Sequence, residues 1–156
     1  MVSKNVALSG RKMKIDFLVV AGLLSFSASI MHLAIIVGGP EWYRFFGAGE
    51  EMARMAEQGL LKPKLITFTI ALILFVWGAY AWSAAGRFPA FPFVNIVLIV
   101  ITAVYFLRGI AGLMAPFIDH PQLQQNSTVF WVLSSLICLA FAAVHIKGML
   151  NLWCTD

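Results

Sequence analysis

Five side chains in this sequence have the types and spacing to do chemistry inside an apolar setting: Arg108, His32, Tyr105, Glu50 and Arg44. Arg108 stands in the run FVNIVLIVITAVYFLRGIAGLMA, Phe93 to Ala115, about two turns from its far end. A guanidinium near a bilayer centre costs roughly 2.5 kcal/mol or more, so it turns to partners in a helix bundle or reaches back to the nearer interface. Tyr105 lies one turn earlier on the same helix face, and His32 falls at a similar depth on the first apolar run. Glu50 and Arg44, from the segment after that run, complete the set. Brought together, they would line a polar pocket suited to an anionic headgroup or a quinone-like ring. A plainer arrangement uses the same residues. Arg108 then reaches lipid phosphate or clamps the following segment through Glu50 or Glu51, and His32 bonds to a backbone carbonyl or a serine in the helix seam.

The elements that must position these groups are set by composition. With 61% apolar and 12% charged side chains over 156 residues, the chain lies far outside the range of a soluble domain. Four apolar runs, 15–37, 64–85, 93–115 and 128–150, each approach or exceed the roughly 20 residues that cross a bilayer as a helix. All six prolines fall between these runs. Backbone polar groups in lipid must be satisfied within their own segment, which selects helices over strands. The expected fold is all-α: one integral membrane domain over 1–156, a four-helix bundle with an interfacial amphipathic segment at 40–59.

Lys4, Arg11, Lys12 and Lys14 precede the first run, Arg87 lies in the second connection and Lys147 near the end of the fourth run. This bias places both termini on the cytoplasmic side of the membrane. A cleavable leader is the rival for the first run, but its apolar character continues through Ile30 to Val37, long enough to span. Ala21, Ser25 and Ser29 recur at every fourth position and mark a close-packing face that leads to His32.

In the segment GGPEWYRFFGAGEEMARMAEQGLLKP, Pro40 and Glu41 suit a helix start, and Gly47, Ala48 and Gly49 suit a bend between two short helices. Glu50 with Arg54, and Arg54 with Glu57, have helical ion-pair spacing. The expected result is a cover in the outer headgroup layer, anchored by Trp42 and Tyr43. Trp77, Tyr80 and Trp82 gather near the other end of the second run and read as an interfacial aromatic belt.

His145 falls at the opposite depth from His32, so the two are not paired axial ligands of one haem. Asp119 and His120 lack fixed ligand spacing for a metal, and Cys138 and Cys154 suggest neither a disulfide nor redox chemistry. Phosphate-binding glycine loops, HExxH and serine-nucleophile elbows are missing from the sequence. The basic charge is juxtamembrane, which leaves no surface for nucleic acid.

The run from Trp42 to Glu50 (WYRFFGAGE), YAWSAAG at Tyr80 to Gly86 and ITAVYFLRG at Ile101 to Gly109 resemble a small family of bacterial inner-membrane proteins. The resemblance covers the first three runs and the first connection. It implies a four-helix, single-domain membrane protein and supplies no activity. The motif of paired arginine, asparagine and glutamate found on the second helix of the four-helix eicosanoid and glutathione enzymes is missing.

Two functional readings follow. The first is a non-catalytic accessory bundle with a polar cluster in the outer leaflet that holds a lipid or quinone; its partners are membrane lipids, and a homo-oligomer or larger membrane complex is open to it. The second is a small membrane enzyme or carrier in which Glu50 or His32 handles a proton and Arg108 stabilises an anion. Neither calls for a resident cofactor or metal.

Overall fold

The computed structural model describes residues 16–121 and 123–154. Lys4, Arg11, Lys12 and Lys14, the core of the orientation argument, lie outside them. Helix α1, Phe17–Gly38, begins at Asp16, whose carboxylate accepts the N–H groups of Leu18 at 3.0 Å and Val19 at 3.4 Å. That satisfies two donors that a helix start leaves without internal partners. Gly39, at φ 70°, turns the chain into α2, Pro40–Phe45. Left-handed glycines at 47 and 49 then separate α2 from α3, Glu50–Glu57. Three long helices follow: α4, Leu61–Ala84; α5, Val94–Met114, which runs into one 3-10 turn at Ala115–Phe117; and α6, Thr128–Trp153, capped by the Ser127 hydroxyl.

Helices α1, α4, α5 and α6 are 22, 24, 21 and 26 residues long and apolar enough to cross a membrane. The expected runs meet them within three residues at each end. The difference at the start of the second span is instructive. Helix α4 starts at Leu61, so Pro63 lies in its first turn rather than before it. Proline is tolerated there because first-turn N–H groups have no intrahelical acceptor to lose.

The bundle is two tight pairs, α1 with α4 and α5 with α6, joined by contacts of α1 with α6 and α4 with α5. Small residues set the closeness of each pair. A Cβ on Gly22 would strike the indole of Trp82 and lie 3.0 Å from the Gly78 carbonyl, and Gly78 receives the ring edge of Phe26. Across the same seam the Ser29 hydroxyl donates to the Ala71 carbonyl at 2.7 Å, and Trp82 Nε1 donates to Val19 at 3.1 Å. Of the small-residue face read on α1, Ser29 meets α4, while Ser25 turns to Tyr105 on α5. In the second pair, Gly109 lies against Leu139 and the Ser135 carbonyl. Leu18, Ala21, Leu98, Ile101 and Ala142 fill the centre, while Leu65, Ile96 and Leu107 face outward, each more than 60% exposed. That inside-out distribution is what a lipid solvent demands.

Trp77, Tyr80 and Trp82, toward the far end of α4, are turned partly into the bundle. They pack edge-on against Tyr105, Phe91 and Phe26 respectively and are half-buried. The gap at Gly22 admits the Trp82 indole and that at Gly78 the Phe26 ring.

Helices α2 and α3 fold over the bundle end formed by the C-termini of α1 and α5 and the N-termini of α4 and α6. Their own small core joins Ile35, Tyr43 and Ala53 to Phe46, Met52 and Ala56. Tyr43 is 1% exposed and so is no interfacial anchor; Trp42, at 41%, and Phe45, at 79%, face outward in its place. Helical spacing explains the exchange, since Trp42 and Phe45 share one side of α2 while Tyr43 and Phe46 share the side against Ile35.

Candidate functional site at the cover end

The five residues singled out in the sequence do not converge on one pocket. Four of them fall into three groups, with only Arg44 and Glu50 in contact with each other, and His32 lies outside all three.

The first group is the charge hub of the cover. Arg44 donates through Nε and Nη2 to both carboxylate oxygens of Glu50 at 2.9 Å, through Nη2 to Glu57 at 2.7 Å and through Nη1 to Glu41 at 2.9 Å. Glu50 is thus paired with Arg44 rather than Arg54, which acts on it only as a nearby charge. The turn at Gly47 to Gly49 folds α3 back beside α2, and the two-toothed guanidinium contact outcompetes a single helical pair. The bonds from Arg44 hold the Glu50 carboxyl below its ordinary value, and those from Glu50 and then Glu57 raise Arg44 above its own. All four side chains are solvent-facing, so the hub fixes geometry more than it adds stability.

Tyr105 belongs to a second group, in the bundle interior. Its hydroxyl and that of Ser25 on α1 share a hydrogen bond of 3.1 Å, and its ring packs against Trp77, Phe141 and His145. His145 is fully buried, with Nδ1–H donating to the Phe141 carbonyl at 2.9 Å and Nε2 unpartnered. His32 stands apart from both groups. Its Nδ1–H donates to the carbonyl of Ala28 on its own helix at 2.8 Å, the plainer of the two arrangements open to it.

Arg108 makes the third group, in a slot between α5 and α6. A Cβ on Gly112, one turn toward the cover, would overlap both the Arg108 Nη1 and the Ser135 hydroxyl. The guanidinium therefore runs up its own helix past Gly112 and lies beside Ser135. Trp131, in the first turn of α6, roofs it with the guanidinium carbon 5.4 Å from the ring centre, a cation–π distance. The Ser135 side chain is fully buried and its hydroxyl has no hydrogen-bond partner. Among the described residues no carboxylate pairs with Arg108; Glu41, Glu50 and Glu57 of the cover serve Arg44.

Cover and slot are stitched together by the last connection. The Asn126 amide donates to the Gly47 carbonyl at 3.1 Å, and Gln125 accepts the Glu50 N–H at 3.1 Å. The Phe130 ring occupies the space beside Gly47 that a Cβ would need, and stands edge-on to Trp131 at 5.6 Å. Trp131 Nε1 in turn donates to Leu123 at 2.9 Å. The polar run after Pro121 is a clasp that ties the roof of the slot to the cover. Gly112 and Ser135 are not among the residues singled out in the sequence. A glycine four residues after an intramembrane arginine was the available signal that the side chain needs room to extend.

The separation has a chemical consequence. Proton handling by Glu50 or His32 beside an anion held on Arg108 needs those groups in contact, and each is engaged elsewhere. The slot can do something simpler, which is to offer a cation at the bundle surface with a buried hydroxyl behind it. Comparison of the chain with protein-family models, curated proteins and solved structures finds no match to any of them.

Proposed function

We propose that the chain is a non-catalytic, multi-pass accessory protein of a bacterial inner membrane that holds the polar head of an amphiphile, a lipid or a quinone, in the Arg108 slot. One observation carries this reading: an intramembrane guanidinium with no counter-charge from the described residues, held under Trp131 beside an unpartnered hydroxyl. A cation in that setting is stabilised by an acceptor from outside the chain. The outward reach of Arg108 past Gly112 puts the head of such a ligand near the cover, and the apolar flanks of α5 and α6 would lie along its tails. Termini on the cytoplasmic side and the cover on the outer side follow from the Lys and Arg bias.

The test is native mass spectrometry of the full chain released from mild detergent. The wild type retains one amphiphile per chain, and Arg108→Gln loses it while keeping its helical content. An identical lipid profile in both proteins would refute the reading.

A further inference from the structure

We infer that the Arg108 slot is a site for a phosphate group, and that its occupant is a phospholipid rather than a quinone. The inference rests on the amphiphile reading above and narrows it to one chemistry.

A quinone presents neutral carbonyl oxygens. Each can accept a hydrogen bond, yet leaves the guanidinium charge uncompensated in a medium of low dielectric. A phosphodiester brings a full negative charge and two unesterified oxygens, which match the paired N–H edges of a guanidinium. Trp131 covers one face of that plane, so the N–H edges remain the directions in which Arg108 can bind. Beside it, the Ser135 hydroxyl is buried and lacks a partner, a state that costs a polar group unless something else accepts its proton. It stands against the same Gly112 surface as Arg108 Nη1 and, being fully buried, meets a phosphate held on the guanidinium only by turning outward from that surface. Gly112 supplies the room, because any side chain there would fill the position where the two donors meet.

Access also favours a phospholipid over a free ion. Arg108 is exposed on the bundle flank, and its neighbours Leu107 and Ile110 are outward-facing apolar groups, 63% and 42% exposed. A ligand arriving there comes through the acyl-chain layer with its head at the level of the Trp131 roof.

The experiment uses the delipidated full chain in neutral detergent with four probes: phosphatidylglycerol, a diacylglycerol with the same tails and no phosphate, ubiquinone, and inorganic phosphate. Binding is read by native mass spectrometry and by titration of tryptophan fluorescence. Phosphatidylglycerol is expected to bind one to one and the other three weakly or not at all. Ser135→Ala, a minimal change, is expected to weaken phosphatidylglycerol about tenfold, the worth of one hydrogen bond to a charged group. Arg108→Gln is expected to abolish binding, with Arg108→Lys in between because it keeps the charge and loses the fork.

Binding of ubiquinone but not phosphatidylglycerol, lost in Arg108→Gln, would overturn the phosphate assignment and leave the amphiphile reading intact. Tight binding of inorganic phosphate that competes with phosphatidylglycerol would support the phosphate chemistry and overturn the lipid as its source. Equal phosphatidylglycerol binding by wild type, Ser135→Ala and Arg108→Gln would mean non-specific surrounding lipid and overturn both, as would the failure of every probe to bind.

Discussion

Replacing Gly47 with alanine tests the connection between the cover and the slot. Gly47 holds φ at 70°, and a Cβ there would fall on the ring of Phe130. A left-handed backbone costs a residue other than glycine about 1–2 kcal/mol. Displacing a packed ring adds about 1–3 kcal/mol. Together these give a loss of about 2–5 kcal/mol, but the loss should not be shared evenly. The cover is fastened by a small core and by single hydrogen bonds from Gln125 and Asn126. The four long helices are held along their whole length by seams that Gly47 does not touch. Local opening of α2 and α3 is therefore the cheapest response. Hydrogen–deuterium exchange should show the Glu50–Glu57 amides exchanging about thirtyfold faster or more, since each 1.4 kcal/mol is a factor of ten. Exchange within α1 and α4 should hardly change. Adding Phe130→Ala removes the overlap and leaves the backbone cost, so the double variant should recover roughly half of the lost protection. Unchanged exchange in α3, or exchange rising equally in all helices, would refute the idea that the cover is a separately opening unit clasped at Gly47.

Two further predictions concern the other groups. Ser25→Ala, Tyr105→Phe and the double variant form a cycle for the bond across the bundle interior; interhelical hydrogen bonds in membranes couple by about 0.6 kcal/mol on average and about 1.7 kcal/mol at most. A value in that range from unfolding in mixed detergent is expected, and a coupling of zero would mean the two hydroxyls contribute nothing to each other. The cover should also loosen in acid. Arg44 lowers the Glu50 carboxyl, so their pairing is complete above its ordinary value of 4.5 and is lost as pH falls from there through the lowered one. Protection factors in α3 should therefore be flat at neutral pH and drop below about pH 4.5. Glu50→Gln should remove that step; a step that survives in Glu50→Gln would assign it to another group.

The four spans were legible because length and hydropathy alone determine what can cross a bilayer, and neither depends on how helices meet. The bend at Gly47 to Gly49 was legible for a related reason, as glycines are the residues that take a positive φ at low cost. What the sequence did not disclose were contacts between segments distant in the chain. Arg44 and Glu57 are 13 residues apart and meet only once α3 has folded back. Gln125 and Asn126 read as an ordinary polar connection until the cover lies over them.

The misplacement of Tyr105 has a more specific cause, which bears on the site itself. Shared helix face puts residues 105 and 108 side by side, and a single pocket is the expectation that follows. In a helix, however, side chains lean toward the N-terminus. On α5 that is away from the cover, so the stiff ring of Tyr105 is carried down to Ser25 and His145. Arginine has the length and freedom to reverse that lean, provided the next turn leaves space, and Gly112 leaves it. Two residues one turn apart thus serve different places, the bundle interior and the cover end. The tyrosine is spent on joining α1 to α5, while the cation is pushed toward the headgroup layer, where Ser135 and Trp131 meet it from α6. The glycine that separates them decides the function of the arginine: with a side chain at 112, Arg108 would be denied its route to the roof and, lacking an acidic partner, would have no favourable place in the membrane.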